Sequence, residues 1–416
     1  MKILLMTLPN EGEFINWTTS KKLSPSEVKY IPLGILSLAS NISKKHEVIL
    51  FDPNNPTLTT EQTAHEIELI NPDILGVSIV TRRIYSLYKL LKLIHVPYIA
   101  AGGPHCTYYA NDLLEKGIDA VFIGNLADNE FSKATESNPF PKGIIDCITD
   151  INAINFPNRT LIDIEKYHFK GKVLFSTDNR MSMFSSVGCP NKCFFCNVQS
   201  RHISYKDASI VVDEMEYLHS LGCESVHILD DNFNVNRKHL REIVEELNRR
   251  NWKREWSGRG QVNMDFSIIP ELVETGFKRI HAGIEALDDK ILRWFKKPLN
   301  TETIYKFCNV MSKMNVDVLG YFIIGSPIET EEYRKTLLST IQGLGIKYPF
   351  FNVLFPEPNT AYYDSLIKDG WYEKDYWGEY MKNPVPDYEI PYPYGNSLKD
   401  EIFAYANELI DASLNR

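Results

Sequence analysis

This chain of 416 residues has no apolar run long enough to cross a membrane, no long basic run, no low-complexity tract and no internal repeat. The first absence argues against a membrane span. The second, with a formal net charge of −9, argues against a nucleic-acid partner. A phosphate-binding glycine loop, a nucleophile–histidine–acid order and the carboxylate set of a nuclease are also missing. Cysteine is scarce, with seven in all. That number does not make a disulfide scaffold, and a reducing, cytoplasmic compartment is expected. The opening stretch from Met1 to Pro9 is apolar but too short for a signal peptide or a span, and reads as a buried first strand. Otherwise the composition is that of a globular protein, 44% hydrophobic and 24% charged, and the length calls for two domains and a tail.

Apolar runs alternate with helical patterns from the start. Candidate strands at 2–7, 46–51, 74–80, 97–102 and 119–123 are separated by candidate helices at 32–43, 59–70, 83–94 and 108–117. Such alternation predicts a Rossmann-like parallel sheet covered on both faces, with ligands at the carboxyl ends of its strands. Residues 132–180 are less regular and read as a linker, with Phe156 held extended by Pro157. A second series follows, with strands at 182–187, 224–229, 254–258, 278–284, 317–324 and 350–355, and helices at 207–221, 237–250, 267–275, 301–314 and 330–343. Val211, Met215 and Leu218 share one helical face, and Gly222 suits a cap. Six strand–helix units predict a barrel or an open partial barrel. The expected division is 1–131, 132–180, 181–360 and an aromatic- and proline-rich cap, 361–416, ending in a helix from Leu398 to Leu414.

Three of the seven cysteines, Cys189, Cys193 and Cys196, lie in Gly188-Cys189-Pro190-Asn191-Lys192-Cys193-Phe194-Phe195-Cys196. So short a loop can aim three thiolates at one centre, and thiolates suit iron. An iron–sulfur cube usually takes four, so three would leave one iron open. A zinc site would want a fourth Cys or His, for which His202 is a candidate. Cys147, Cys223 and Cys308 read as buried small hydrophobes, and Cys106 follows His105 at a strand end.

The spacing, with Phe194-Phe195 before the last cysteine, closely resembles the signature of the radical SAM superfamily. The resemblance implies a [4Fe-4S] cluster on Cys189, Cys193 and Cys196 and S-adenosyl-L-methionine (SAM) chelating the open iron. An electron from the cluster would split SAM into methionine and a 5′-deoxyadenosyl radical, and the barrel would be the partial, six-stranded form. Further motifs fall one per strand end. Asp230-Asp231 could face the amino group of SAM or cap a helix. Arg259 could pair with its carboxylate or form a surface salt bridge. Glu285, in Gly283-Ile284-Glu285-Ala286, suits the ribose hydroxyls, with Ala286 where the family has Ser. Gly325-Ser326-Pro327-Ile328-Glu329-Thr330 resembles the family turn beside adenine, in which Gly325 and Pro327 are expected to matter more than Glu329. In Pro356-Glu357-Pro358-Asn359-Thr360, Asn359 replaces the usual Gly and tolerates a left-handed turn.

Together these resemble the branch of the superfamily with an N-terminal cobalamin-binding domain. Pro32-Leu33-Gly34-Ile35-Leu36, the stretch from Asp73 to Thr81, and Gly102-Gly103-Pro104-His105 look like elements of that domain. Ser78, Thr81, Gly102, Gly103 and His105 are the candidate cobalamin residues. With no Asp-x-His-x-x-Gly motif, histidine need not ligate cobalt. Gly124-Asn125-Leu126-Ala127-Asp128-Asn129-Glu130 stands where Gly-Glu-Gly-Glu is usual, so the domain either binds cobalamin differently or is a scaffold.

The implied activity is a cobalamin-dependent methyltransferase acting on an unactivated carbon of a small-molecule or peptide substrate. The alternative is a radical rearrangement, dehydration or cyclisation. An iron–sulfur sensor or carrier is a third class. A methylthiotransferase is disfavoured, because the N-terminal domain has no second three-cysteine cluster. A flavodoxin or ferredoxin is the expected electron donor. Tyr362-Tyr363, Trp371-Tyr372 and Tyr392-Pro393-Tyr394 could line a pocket or simply pack.

Overall fold

The structure, a computed structural model, describes residues 1–11, 31–148, 150–167, 179–386 and 388–414. Residues 12–30 of the expected first domain, 149 and 168–178 of the expected linker, and 387, 415 and 416 of the expected cap lie outside them. The chain divides into two compact units. Of the described residues, those of 1–11, 31–167 and 374–391 make up the first, and those of 179–373 and 392–414 the second. The stretch from 361 expected as one cap is thus shared between the units.

In the first unit, β1 (Lys2–Thr7), β2 (Glu47–Phe51), β3 (Ile74–Ser78), β4 (Tyr98–Gly102), β5 (Ala120–Ile123) and β6 (Gly143–Asp146) form one sheet in the order β2-β1-β3-β4-β5-β6. Every pairing is parallel. The crossovers are α1 (Leu33–Asn41), α2 (Thr60–Ile70), α3 (Ile84–Leu90), α4 (Cys106–Glu115) and α5 (Asp128–Glu136). Ile3, Leu4, Leu5 and Met6 are all fully buried, as a central strand covered on both faces requires. Thr59 and Gln62 form a reciprocal capping box that starts α2.

Two elements fall where an irregular linker was expected. β6 is a four-residue edge strand with no buried residue. α5 buries only Phe131 and Ala134 among its apolar residues, too few to show a period. The altered loop has a local role. Asp128 is buried at the start of α5 and accepts hydrogen bonds from Ser37 Oγ at 2.5 Å and Asn41 Nδ2 at 3.2 Å, locking α5 to α1.

In the second unit, β7 (Arg180–Met183) is followed by a two-stranded ribbon, β8 (Ser186–Val187) with β9 (Ser204–Tyr205). The predicted single strand over 182–187 is therefore two strands separated by a bend. Next come α6 (Ala208–Ser220), β10 (Ser225–Ile228), α7 (Arg237–Arg249), β11 (Glu255–Gln261), α8 (Ile269–Glu274) and β12 (Phe277–Glu285). Then follow α9 (Asp289–Trp294), α10 (Thr301–Lys313), β13 (Asp317–Ile324), α11 (Glu331–Gly343), β14 (Tyr348–Val353) and α12 (Ala361–Lys368). The short helix α9 was not anticipated. α13 (Tyr376–Lys382) belongs to the first unit, and α14 (Asn396–Leu414) to the second.

The large sheet runs β14-β13-β12-β11-β10-β7 with every pairing parallel, an open six-stranded (β/α) partial barrel in sequence order. α14 lies against β14, and Tyr405 Oη donates to the Arg334 carbonyl at 2.6 Å, fixing α14 to α11. Side chains alternate along β11. Trp256 packs with Phe233 and Phe277 on the helix-facing side, and Ser257 and Arg259 face the opposite way. Among the described residues no helix is long and apolar enough to cross a membrane.

Trp256 is fully buried, and its indole N–H donates to Thr275 Oγ1 at 3.2 Å. Trp256→Ala is expected to cost about 3–5 kcal/mol, read as a lowered denaturation midpoint in urea melts followed by circular dichroism.

Candidate active site

The loop carrying the three cysteines leaves β8 and returns through β9. The Gly188 N–H donates to Asp231 Oδ2 at 3.1 Å, the Cys189 N–H to the Ser200 carbonyl at 3.0 Å, and the Cys196 N–H to the Cys193 carbonyl at 3.1 Å. Gly188 has φ +97°, a conformation that suits glycine where the chain turns into the loop. The middle of the loop is held from two sides. The Phe194 N–H donates to the Phe295 carbonyl at 2.8 Å, and its own carbonyl accepts from the Tyr362 N–H at 2.9 Å. The Arg201 guanidinium donates to the Cys196 carbonyl at 3.1 Å and to the Asn191 carbonyl.

All three thiols are free. Burial pushes the Cys193 thiol up to about 11, partly offset by the Lys297 ammonium, and Cys196 is also raised by burial. The three share one short loop, tightened by the Cys196 N–H bond to the Cys193 carbonyl. Buried thiols that resist ionisation alone fit a cluster whose iron supplies the positive charge. In a cube each thiolate bonds a different iron. Among the described residues no three His, Cys, Asp or Glu side chains converge as on a single metal ion. His202 is exposed, and its carbonyl accepts from Ser200 Oγ at 2.8 Å.

The other predicted residues of this unit fall at successive strand ends but differ in what they do. Asp230 is fully buried. It accepts from the Ser185 N–H at 2.7 Å, from Ser185 Oγ at 2.5 Å and from Ser186 Oγ at 2.6 Å, so its oxygens are engaged by the chain segment entering β8. Burial raises its pKa, opposed by those serine bonds. Arg259 is half-buried, faces His281 in register across β11 and β12, and has no ion pair or side-chain hydrogen bond among the described residues. Beside it the His227 and His281 rings lie 4.4 Å apart, with His227 Nδ1 2.7 Å from Ser257 Oγ and His281 Nδ1 3.3 Å from Tyr321 Oη. Burial, then His281, Arg259, Arg180 and Arg279, hold His227 well below its usual pKa. This cationic strand face was not anticipated, because it assembles from single residues on four strands.

Glu285 sits at a register shift in β12 with φ +67°, an uncommon conformation for a non-glycine residue. Its carboxylate accepts from Lys297 Nζ at 2.8 Å. Gly283 leaves room for that pair, since a Cβ there would stand 2.7 Å from Glu285 Oε1 and 2.9 Å from Lys297 Nζ. Burial opposes the Lys297 charge, but Glu285, Cys193 and Cys189 outweigh it and raise the ammonium's pKa. Gly325 turns at φ +90° and Pro327 is exposed. Glu329 proves more than a helix start. Its carboxylate accepts the Gly325 and Ser326 N–H groups at 3.0 Å each and so shapes the turn, while Thr330 caps α11. Asn359 takes the left-handed conformation, at φ +59°.

In the first unit the candidate residues gather at the carboxyl edge of the sheet, near the reversal of strand order between β1 and β3. Gly102 is half-exposed, and a Cβ there would meet nothing within 4 Å. With Ser78 and Thr81 it leaves a hydroxyl-bordered backbone edge that a broad planar ring can approach. Gly103 differs. Its φ is +98° and a Cβ would lie 2.9 Å from the Ile79 carbonyl oxygen, so glycine there serves the turn. His105 is only 1% exposed. Its Nδ1 lies 3.2 Å from Thr81 Oγ1 and its ring stacks on Tyr109 with centroids 4.7 Å apart. That geometry fits a cofactor with no histidine from this position on its metal. Cys106 is fully buried, its thiol pushed up to about 12 by burial.

Burial lowers the His105 pKa from 6.5 to about 4. A neutral buried imidazole contributes stability that is full above pH 6.5 and lost as pH falls toward 4, about 3 kcal/mol in all. Urea melts at pH 7 and pH 4.5 are expected to show a loss in the wild type that His105→Gln largely removes.

The profile of the radical SAM superfamily matches residues 183–341, and that of the B12 binding domain matches residues 23–129. Among relatives, an uncharacterised methyltransferase of Pyrococcus horikoshii is 26% identical over 91% of this chain and 86% of its own length. The bacteriochlorophyllide d C-12(1)-methyltransferase of Chlorobaculum tepidum is 27% identical over 44% of this chain and 42% of its own. Among solved structures, the radical S-adenosylmethionine methyltransferase TsrM of Kitasatospora setae, with cobalamin and a [4Fe-4S] cluster bound, superposes with a TM-score of 0.64. That match covers 88% of this chain and 75% of TsrM at 16% identity, and shows a shared fold. Parallel sheet, partial barrel, cysteine loop and both profile matches agree: the chain belongs to the radical SAM superfamily, in the branch with an N-terminal B12-binding domain.

Proposed function

We propose that this chain is a cobalamin-dependent radical SAM methyltransferase that methylates an unactivated carbon of a small-molecule or peptide substrate. The observation that carries the reading is the pairing, in one chain, of three neighbouring cysteines on a partial barrel with an open, hydroxyl-bordered strand edge on a B12-type sheet. When bound, the cluster and SAM supply radical cleavage chemistry and cobalamin supplies a methyl carrier.

The chain's own residues divide that work. Cys189, Cys193 and Cys196 hold the cluster. Glu285 accepts hydrogen bonds from the ribose hydroxyls of SAM with whatever capacity Lys297 leaves it. Arg259, with no ion pair among the described residues, offers its planar fork to a carboxylate. The turn at Gly325 and Pro327, shaped by Glu329, borders the adenine. Asp230 supports the segment leading to the cysteines instead of touching SAM. Gly102, Ser78 and Thr81 border the corrin, with His105 beneath them as packing. A flavodoxin or ferredoxin supplies single electrons.

Two outcomes are expected. Anaerobically reconstituted protein binds cobalamin near one per chain and forms 5′-deoxyadenosine from SAM, whereas the variant with all three cysteines changed to Ala retains neither cluster nor cleavage. SAM cleavage without cobalamin uptake at micromolar ligand would replace the reading with a radical reaction lacking methyl transfer. In addition, Glu285→Ala raises the SAM dissociation constant tenfold or more, about 1.4 kcal/mol, with iron content unchanged. Unaltered affinity would remove Glu285 from the SAM site.

A further inference from the structure

We propose that Lys297 sets the reduction potential of the iron–sulfur cluster, as a fixed cation held by Glu285 beside Cys189 and Cys193. This rests on the cysteines being the cluster ligands and is independent of methyl transfer.

The placement is built by the backbone. The Phe194 N–H donates to the Phe295 carbonyl at 2.8 Å, so the segment leaving α9 runs alongside the residue after Cys193. The Phe195 and Phe295 rings meet edge to face at 5.2 Å, and Lys296 Nζ lies 5.0 Å from the centre of the Phe194 ring. Lys297 follows, and it points inward. Its side chain is 12% exposed and that of its partner Glu285 is 9% exposed, with 2.8 Å between Nζ and Oε1. Little water is left to screen the pair.

The chain accepts local cost to keep this pair. Glu285 holds a left-handed backbone at the β12 irregularity, and Gly283 omits the Cβ that would collide with both charged groups. A lysine present only to neutralise Glu285 would do so equally well with its charge turned from the cysteines. Here the Phe295 carbonyl holds the residue after Cys193 and Lys297 follows two residues on, so the buried pair sits beside the cysteine loop. Both charges act on Cys193, with opposite sign. Reduction adds one electron, from a one-electron donor, to a cluster already carrying thiolate charge. A nearby fixed cation favours the reduced form, and a nearby carboxylate opposes it.

The two members of the pair therefore make opposite predictions. Full-length protein, reconstituted without SAM, cobalamin or substrate, is titrated with dithionite and the reduced cluster is read by electron paramagnetic resonance. Lys297→Met is expected to move the midpoint to more negative potential by at least a tenfold change in the reduction equilibrium, 59 mV for a one-electron couple. Glu285→Gln moves it the other way. Lys297→Arg stays near wild type, and the double variant Lys297→Met with Glu285→Gln falls between the singles. Iron per chain in each variant shows whether the fold has survived. If Lys297→Met does not load a cluster, the Glu285→Gln shift decides. A midpoint unmoved by Lys297→Met, or singles that move together, would overturn the proposal. Failure of the methyltransferase reading would leave all these midpoints unaffected.

Discussion

Buried sulfur is the constraint on which the second unit turns. A thiol in a dry loop does not readily ionise, and Cys193 is pushed up to about 11 by burial. Cys189 and Cys196 beside it are half-buried, and a cluster held on the three, as proposed, would bring the positive charge that favours their thiolates. The surroundings then follow. β8 and β9 pin the ends of the loop, Asp230 fixes its approach through two serines, and Phe295 and Tyr362 clamp its middle by backbone hydrogen bonds. Each of these comes from a different part of the barrel, so the loop is only as ordered as the barrel beneath it.

A similar economy governs the polar groups at the strand ends. Glu329 could have been a bystander at a helix start. Instead its carboxylate takes two N–H groups that the tight turn at Gly325 cannot satisfy internally. Glu285 and Lys297 are two charges that would be costly apart and tolerable together. In the first unit, the hydroxyl of Thr81 faces His105 while the edge at Gly102 stays open.

Much of this was legible in the sequence, and the remainder has identifiable causes. The strand predicted at 317–324 has those bounds in the structure, because Val318 to Ile324 is apolar or aromatic apart from Gly320 and is bounded by Asp317 and the turn at Gly325. The cysteine triplet was legible because its ligands are local. β6, α5 and α9 were not, since each is short and buries too few apolar side chains to show a period. Asp230 was recognisable as a strand-end residue, but its serine partners lie more than forty residues earlier and no local pattern reveals them. Lys297 was invisible for the same reason. Nothing in Phe295-Lys296-Lys297-Pro298 distinguishes a surface lysine from one folded back against a carboxylate twelve residues earlier.

The central claim is that one chain brings together radical SAM chemistry and a methyl-carrying cobalamin. The most direct measurement is the fate of the SAM methyl group. Protein with an intact cluster and bound, reduced cobalamin is incubated anaerobically with SAM labelled in that methyl. The account predicts that label passes to cobalamin and that the demethylated form of SAM accumulates with it. Label that stays on SAM and the methionine released by cleavage, with cobalamin bound and unlabelled, would contradict the account.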